Sequence, residues 1–230
     1  MVKSSDHTTS SRFGYSEKEM ADSFEKALQT GEGINDLGMF DAIYREISCR
    51  QGRPDFIALR YASSTWSHGS LRVPGLVGPA VLKNLKPRAV RTLDYLVRNT
   101  EFARQSIRKS LRQLVEMGYV EETENGAYRL APLSVLRKPE IWSFELKLNN
   151  PKKAVFQAQQ SRAFAERAII VVPPGQERNY VRFLGAIRRW HIGLATFDPF
   201  TCSFHLVKKG RKSQALSKTH QLYVLSKVGL

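Results

Sequence analysis

The sequence predicts an α/β protein whose mixed sheet, flanked by helices, is interrupted by an inserted module of helices and a hairpin. Strand and helix patterns alternate between residues 142 and 197, as they do in α/β sheets. The wholly apolar run at residues 168–172 is typical of a strand covered on both faces. Two amphipathic helices and an Asn-Gly turn separate the two sheet-forming parts of the chain. We therefore expect a discontinuous α/β domain, residues 15–61 and 138–230, around an inserted domain at residues 78–133.

The first helix is predicted at residues 16–30. Ser16 and Glu19 have the spacing of a capping box, in which each residue satisfies a backbone N–H of the other. Apolar residues then recur at helical spacing, and Gly31 follows as a stop signal.

Two strands are predicted after this helix, at residues 40–49 and 56–61, with a Gly-Arg-Pro turn between them. Residues 61–79 are rich in Gly, Ser and Pro and indicate a linker, and residues 137–139 indicate a second one. The polar segment at residues 1–14 is expected to be a disordered tail.

The inserted module resembles a winged helix. Helices are predicted at residues 88–98 and 104–117, and Asn125-Gly126 joins two short strands into a hairpin. The second helix would place cations on its polar side, where they could contact DNA phosphates and base edges, with protein–protein contact as the alternative. Those cations are Arg104, Arg108, Lys109 and Arg112.

A strand predicted at residues 142–148 carries charged groups at alternating positions. Because successive side chains point to opposite faces, Ser143, Glu145 and Lys147 share one face and the apolar residues share the other. A carboxylate and an ammonium group two residues apart can reach a single point. The usual meaning of such a pattern is a strand face exposed to solvent.

The chain continues the strand–helix alternation after this strand. A helix predicted at residues 152–166 carries small residues along one side, which permits close packing on a sheet. A second helix is predicted at residues 178–190 and a further strand at residues 193–197.

Taken in order, four sequence features resemble the PD-(D/E)XK nuclease superfamily. They are Pro54-Asp55, Glu145-Leu146-Lys147, Gln157 on the next helix and the apolar strand at residues 169–172. Branches of that family that carry the glutamine often place a tyrosine four residues later, where this chain has Ser161. The resemblance implies a restriction-endonuclease-like α/β core.

The resemblance also implies roles for individual residues. Asp55 and Glu145 correspond to the carboxylates that hold the metal, and Lys147 to the family's lysine. Gln157 joins this catalytic set. An acid from the first helix often completes the site, and Glu17 fits its position best by spacing, with Glu19 next.

The inserted module explains the unusual spacing of this motif. Asp55 and Glu145 lie 90 residues apart, far more than a simple connection between neighbouring strands requires. Insertions into a sheet loop need ends that lie close together. The surplus length matches the module at residues 78–133, which supports a split active site.

The charge of the chain indicates a polyanionic partner. Lys and Arg total 36 against 21 acids, which gives a net charge of +15, and residues 205–230 contain six cations and no acid. Such an excess favours nucleic acid by counterion release and steering, with an anionic membrane surface as the weaker alternative. Duplex DNA is the expected partner, RNA stays open, and Lys152 and Lys153 are further candidate DNA contacts.

The predicted function is a Mg²⁺-dependent DNA endonuclease, with Mn²⁺ as a substitute metal. Mg²⁺ prefers hard oxygen ligands, which Asp55 and Glu145 would supply together with the Leu146 carbonyl. The alternative is a catalytically inactive DNA-binding protein on a nuclease-like scaffold. The sequence leaves open whether the protein forms a homodimer. Only two cysteines and no long apolar run are present, so we expect a cytoplasmic protein without a membrane partner.

Overall fold

The computed structural model describes residues 13–61, 73, 75–131 and 139–228. Residues 1–12 of the predicted tail, most of the first predicted linker and residues 137–138 of the second lie outside the described residues. The α-helices are α1 (Glu17–Thr30), α2 (Val77–Asn84), α3 (Leu93–Thr100), α4 (Arg104–Glu116), α5 (Pro151–Ser161), α6 (Leu184–Arg189) and α7 (Lys218–Lys227). The strands are β1 (Ala42–Arg45), β2 (Phe56–Arg60), β3 (Val120–Glu122), β4 (Tyr128–Leu130), β5 (Glu140–Leu146), β6 (Arg167–Val172), β7 (Gly193–Asp198) and β8 (Ser203–Lys208).

Six strands form one mixed sheet in the order β1-β2-β5-β6-β7-β8. The pairs β5–β6 and β6–β7 are parallel, whereas β1–β2, β2–β5 and β7–β8 are antiparallel. Helices flank this sheet, so the predicted α/β class with a mixed sheet is confirmed. β3 and β4 form a separate antiparallel hairpin, which the Asn-Gly signal predicted, although its loop spans five residues.

Helix α1 forms as the sequence predicts and covers one face of the sheet. Ser16 caps its first turn in a complete capping box, and Gly31 ends it in the left-handed region that favours glycine. Phe24 is fully buried in the middle of this layer. Its ring packs edge-on against Phe144 and Phe197, with centroids 5.4 and 5.1 Å away.

The opposite face of the sheet is covered by two groups of helices. α5 and α6 join β6 and β7 in one apolar cluster, and α5 also contacts β5. A second cluster joins β2 to α2, α4 and α7, with Leu59, Leu82 and Leu111 among its buried residues. The helices of the predicted insertion therefore share a core with the sheet.

Both faces of β5 are buried. Its apolar side chains pack under α1, as the predicted alternation requires. The other side lies under α5, so Ser143 is 0% exposed and Glu145 1% exposed. The charged face of this strand is therefore shielded from solvent. Charged side chains are rarely buried unless they are paired, so this burial requires a chemical explanation.

Several predicted boundaries were wrong. The first linker was predicted to extend to residue 79, but α2 begins at Val77 and contains Pro79. Proline is tolerated there because the first turn of a helix has no intrahelical partner for its N–H groups. The helix predicted from residue 88 begins only at Leu93, because Thr92 caps it and Arg91 pairs with Tyr128 of the hairpin.

The C-terminal part differs from prediction in a similar way. α5 ends at Ser161, not at residue 166, since the following N–H groups bond three residues back and tighten the chain into a turn. The helix predicted at residues 178–190 begins as a 3₁₀ helix, Glu177–Phe183, before α6. β8 and α7 were not predicted.

Candidate active site

Four ionisable side chains from three chain segments meet where β5 ends; we call them the acid–lysine cluster. They are Glu17, Asp55, Glu145 and Lys147. β2 and β5 are antiparallel with Phe56 opposite Phe144, so the register brings Asp55 opposite Glu145. The resemblance placed Asp55, Glu145 and Lys147 in one site with an acid of the first helix, Glu17 before Glu19, and the structure brings Glu17 to the other three.

Lys147 is the centre of the cluster. Its ammonium group donates hydrogen bonds to Glu17 Oε1 at 3.1 Å, Asp55 Oδ2 at 3.3 Å and the Leu146 carbonyl at 2.6 Å. Burial opposes its charge, but Asp55 and Glu17 more than compensate and raise the pKa of Lys147 above its ordinary value. Lys147 is therefore a fixed positive charge, only 7% exposed, at neutral pH.

Backbone N–H groups at the end of β5 and two residues beyond it hold the two outer acids. The Leu146 N–H donates to Asp55 Oδ2 at 2.7 Å, and the Leu148 N–H donates to Glu17 Oε2 at 3.4 Å. Glu19 instead turns back to cap its own helix through Ser16. Of the two helix-one candidates, Glu17 is thus the one in the cluster.

Glu145 is the most buried acid of the cluster. Burial raises the pKa of Glu145 to about 8, Asp55 and Glu17 act in the same direction, and Lys147 and Lys153 oppose them. Among the described residues, none offers a hydrogen bond to Glu145 Oε2. A buried carboxylate oxygen without a partner is costly, so this atom indicates a missing proton, donor or cation.

Gln157 lies on α5, which packs directly on β5 and β6. Its Oε1 is buried and, like Glu145 Oε2, lacks a hydrogen-bond partner within the described part of the chain. Lys152 and Lys153 are exposed in the first turn of the same helix, which Asn150 caps. The amide and both cations are therefore carried on the element that covers the charged face of β5.

Sequence reasoning missed Tyr180 and Glu177 on the 3₁₀ helix that contacts α5. Tyr180 is buried, and burial together with nearby Glu17 raises its pKa. The Tyr180 hydroxyl and Glu177 Oε2 are buried without a hydrogen-bond partner in the described residues. No local sequence pattern predicts that these two residues belong near the site, because their position beside α5 depends on the tertiary fold.

The donor set of the cluster fits a hard cation. Asp55, Glu145 and the Leu146 carbonyl supply oxygen ligands, and the Lys147 ammonium already lies within hydrogen-bond distance of three oxygens. Across the described ranges, no group of three or more His, Cys, Asp or Glu side chains is arranged to hold a metal ion. A metal here would depend on two carboxylates, a main-chain carbonyl and water.

The cations predicted to touch DNA lie on α4, which packs against α2, α3 and β3. Three exposed cations form what we call the α4 basic face: Arg108, Lys109 and Arg112. Arg104 differs, because it forms an ion pair with Asp94 of α3. Burial and Glu122 raise the pKa of Tyr128, and the positive charges of Arg108 and Arg112 oppose this rise. These two arginines therefore lie near the hairpin.

Comparisons with protein-family models, curated proteins and solved structures find no significant match to this chain. Among the helices in the described residues, none is both long and apolar enough to cross a membrane. Function must therefore be argued from the site itself.

Proposed function

We propose that this protein is a metal-dependent DNA endonuclease that hydrolyses phosphodiester bonds with Asp55, Glu145 and Lys147. One observation carries the proposal: a lysine and three acids from distant segments are gathered at the end of a buried strand, and one carboxylate oxygen there has no hydrogen-bond partner among the described residues. Burying ionisable groups costs stability, and such clusters are typical of functional sites.

Mg²⁺, when bound, would polarise the phosphate and make hydroxide more available as the nucleophile. Asp55 and Glu145 would hold it with the Leu146 carbonyl, and Mn²⁺ would suit the same oxygens. Glu145 must lose its proton to serve, so metal binding at neutral pH would release a proton.

The remaining residues act on charge and position. Lys147 holds a positive charge where negative charge develops on the phosphate during hydrolysis. Glu17 keeps the Lys147 ammonium in place from the side of α1, at 3.1 Å. Gln157 presents an amide from α5 that can orient substrate or water.

The fold supports DNA as substrate. A mixed sheet with this acid–lysine cluster at its edge is compatible with a restriction-endonuclease-like core, and α3, α4 and the β3–β4 hairpin with a winged helix. The α4 basic face would contact DNA phosphates, and Lys152 and Lys153 would do so closer to the cluster. The net charge of +15 favours association with duplex DNA.

A second candidate is a catalytically inactive DNA-binding protein on the same scaffold. The arrangement of Lys147 favours it, because its ammonium group already neutralises Glu17 and Asp55. The lack of a grouping of three metal-ligating side chains in the described residues points the same way.

Cleavage assays separate the two candidates. Supercoiled plasmid, linear duplex, single-stranded DNA and duplex RNA are incubated with the protein and Mg²⁺, Mn²⁺ or EDTA. An endonuclease nicks or linearises plasmid only with metal. Binding to duplex DNA without cleavage of any substrate, with either metal, would establish the second candidate, and cleavage of RNA alone would replace DNA as the substrate.

A further inference from the structure

A second charged site lies at the opposite end of the sheet from the acid–lysine cluster. A cavity of about 160 Å³ is lined by cations from three strands or their ends, Arg60, Arg167 and Lys209, together with Trp142. Trp142 precedes Leu146 by four residues along β5, which separates the two sites by roughly 13 Å of extended strand. We call this cavity the basic pocket.

The two arginines of the basic pocket are fixed in place. Both guanidinium groups lie over the Trp142 ring, Arg60 at 5.0 Å and Arg167 at 4.7 Å from its centroid. Arg60 Nε donates to the Met39 carbonyl at 3.1 Å, and Arg167 Nε donates to Glu140 at 2.7 Å. Such held guanidinium groups lose little entropy on binding a ligand.

Each cation keeps an unused donor. Within the described residues, Arg60 Nη1, Arg167 Nη2 and the Lys209 ammonium donate no hydrogen bond. Trp142 is only 6% exposed, and its indole N–H has no hydrogen-bond partner in the part of the chain described. A buried donor without an acceptor is costly and calls for a ligand oxygen.

The charge and size of the basic pocket define what would bind. Among the described residues that line the pocket, Asp36 is the one carboxylate, and it accepts a hydrogen bond from the Leu206 N–H at 3.4 Å. The lining therefore keeps an excess of positive charge. One water molecule needs about 10–15 Å³, so the cavity has room for a group of several heavy atoms.

We propose that the basic pocket binds a phosphate group. A phosphate carries several oxygens around one centre, and Arg60, Arg167 and Lys209 line one cavity together with Trp142. Charge-assisted hydrogen bonds from arginine and lysine to phosphate oxygens are strong, and each of the three cations has an unused donor group for one. Two sources share this chemistry, a free nucleotide and the phosphorylated end of a nucleic acid. The proposal is independent of catalysis at the acid–lysine cluster, since it needs neither metal nor cleavage.

Titration calorimetry of the full chain in EDTA tests this proposal, with inorganic phosphate, a nucleoside monophosphate, and 5′-phosphorylated and 5′-hydroxyl oligonucleotides as probes. The variants are Lys209→Gln, Arg167→Gln and Trp142→Phe. The matched control is Arg211→Gln, which removes an exposed cation near the pocket that does not line it. Unchanged unfolding midpoints for Lys209→Gln and Arg211→Gln keep the comparison free of folding effects.

Saturable binding of phosphate is expected, weakened at least tenfold by Lys209→Gln and less than twofold by Arg211→Gln. Tighter binding of the monophosphate than of phosphate would identify a free nucleotide. A preference for the 5′-phosphorylated oligonucleotide would identify a nucleic-acid end. Absence of saturable binding for every probe, or equal losses in Lys209→Gln and Arg211→Gln, would overturn the proposal, whatever the cleavage assays show.

Discussion

Replacing Glu145 with Gln should change how stability depends on pH. The carboxyl of Glu145 has a pKa of about 8 in the folded protein against 4.5 ordinarily, chiefly because it is buried. A carboxyl whose pKa is raised on folding contributes stability below its unfolded pKa and loses that contribution as pH rises towards its folded pKa. The loss therefore falls between about pH 4.5 and 8 and levels off above.

The size of this effect follows from the two pKa values. Each pKa unit corresponds to about 1.36 kcal/mol, so the full difference is about 5 kcal/mol, of which about 4 kcal/mol falls between pH 5 and pH 9. Lys147 does not titrate in this window, because its pKa lies above an already high ordinary value. Glu166, whose pKa is also raised by burial, acts equally in wild type and variant and cancels in the comparison.

Urea unfolding of the wild type and Glu145→Gln at pH 5, 7 and 9, without metal, measures the difference directly. The wild type should lose about 4 kcal/mol more than the variant across this range. Glu124→Gln, which changes an exposed glutamate next to the hairpin turn, should follow the wild-type curve. Parallel pH curves for the wild type and Glu145→Gln would refute a protonated, buried Glu145.

Three further predictions address the site, the DNA contact and the core. Glu17→Gln should lower the plasmid-nicking rate at least tenfold, because it removes an ion-pair partner of Lys147. Glu19→Gln should only weaken the helix cap, and equal nicking rates in the two variants would contradict the placement of Glu17 in the active site. Neutralising any one residue of the α4 basic face should weaken duplex binding for all sequences and reduce the salt slope by about 1, seen in binding isotherms at several salt concentrations. Arg129→Gln, which breaks an ion pair of the hairpin, should leave that slope unchanged. Phe24→Ala should cost about 3–5 kcal/mol in urea unfolding, since it empties the centre of the α1 layer; a loss under 1 kcal/mol would show that the layer is loosely packed.

The parts of the fold that depend on short sequence patterns were predictable. The capping box at Ser16 and Glu19 fixed the start of α1, and the alternation along β5 separated its apolar from its charged side chains. The apolar run of β6 required cover on both faces, which the structure supplies. In each case neighbouring residues alone carry the signal.

Other elements were not predicted because tertiary contacts outweigh the conformational preference of their own residues. Gly78 and Pro79 indicate a break, but α2 forms around them where it packs on α4 and α7. α7 has little amphipathic pattern of its own and is stabilised by Leu222 and Leu225 in the shared core. Short local windows do not contain this information.

The candidate site divides in the same way. The order of Asp55, Glu145 and Lys147 along the chain was readable, as was an acid on the first helix. Spacing favoured Glu17 over Glu19 without separating them, and the hydrogen bonds of the folded chain assign Glu17 to Lys147 and Glu19 to the helix cap. The burial of Glu145 and the position of Tyr180 near Glu17 depend on how α5 and the 3₁₀ helix pack on the sheet and on each other.

The proposed endonuclease activity is tested by the initial rate of plasmid nicking with Mg²⁺ for the wild type and three site variants, Asp55→Asn, Glu145→Gln and Lys147→Ala. The control is Arg129→Gln on β4, which belongs to the separate two-stranded sheet. We expect metal-dependent nicking by the wild type and the control, and a loss of at least a hundredfold in each site variant. Nicking at the wild-type rate in Glu145→Gln or Lys147→Ala would show that this cluster is not the active site.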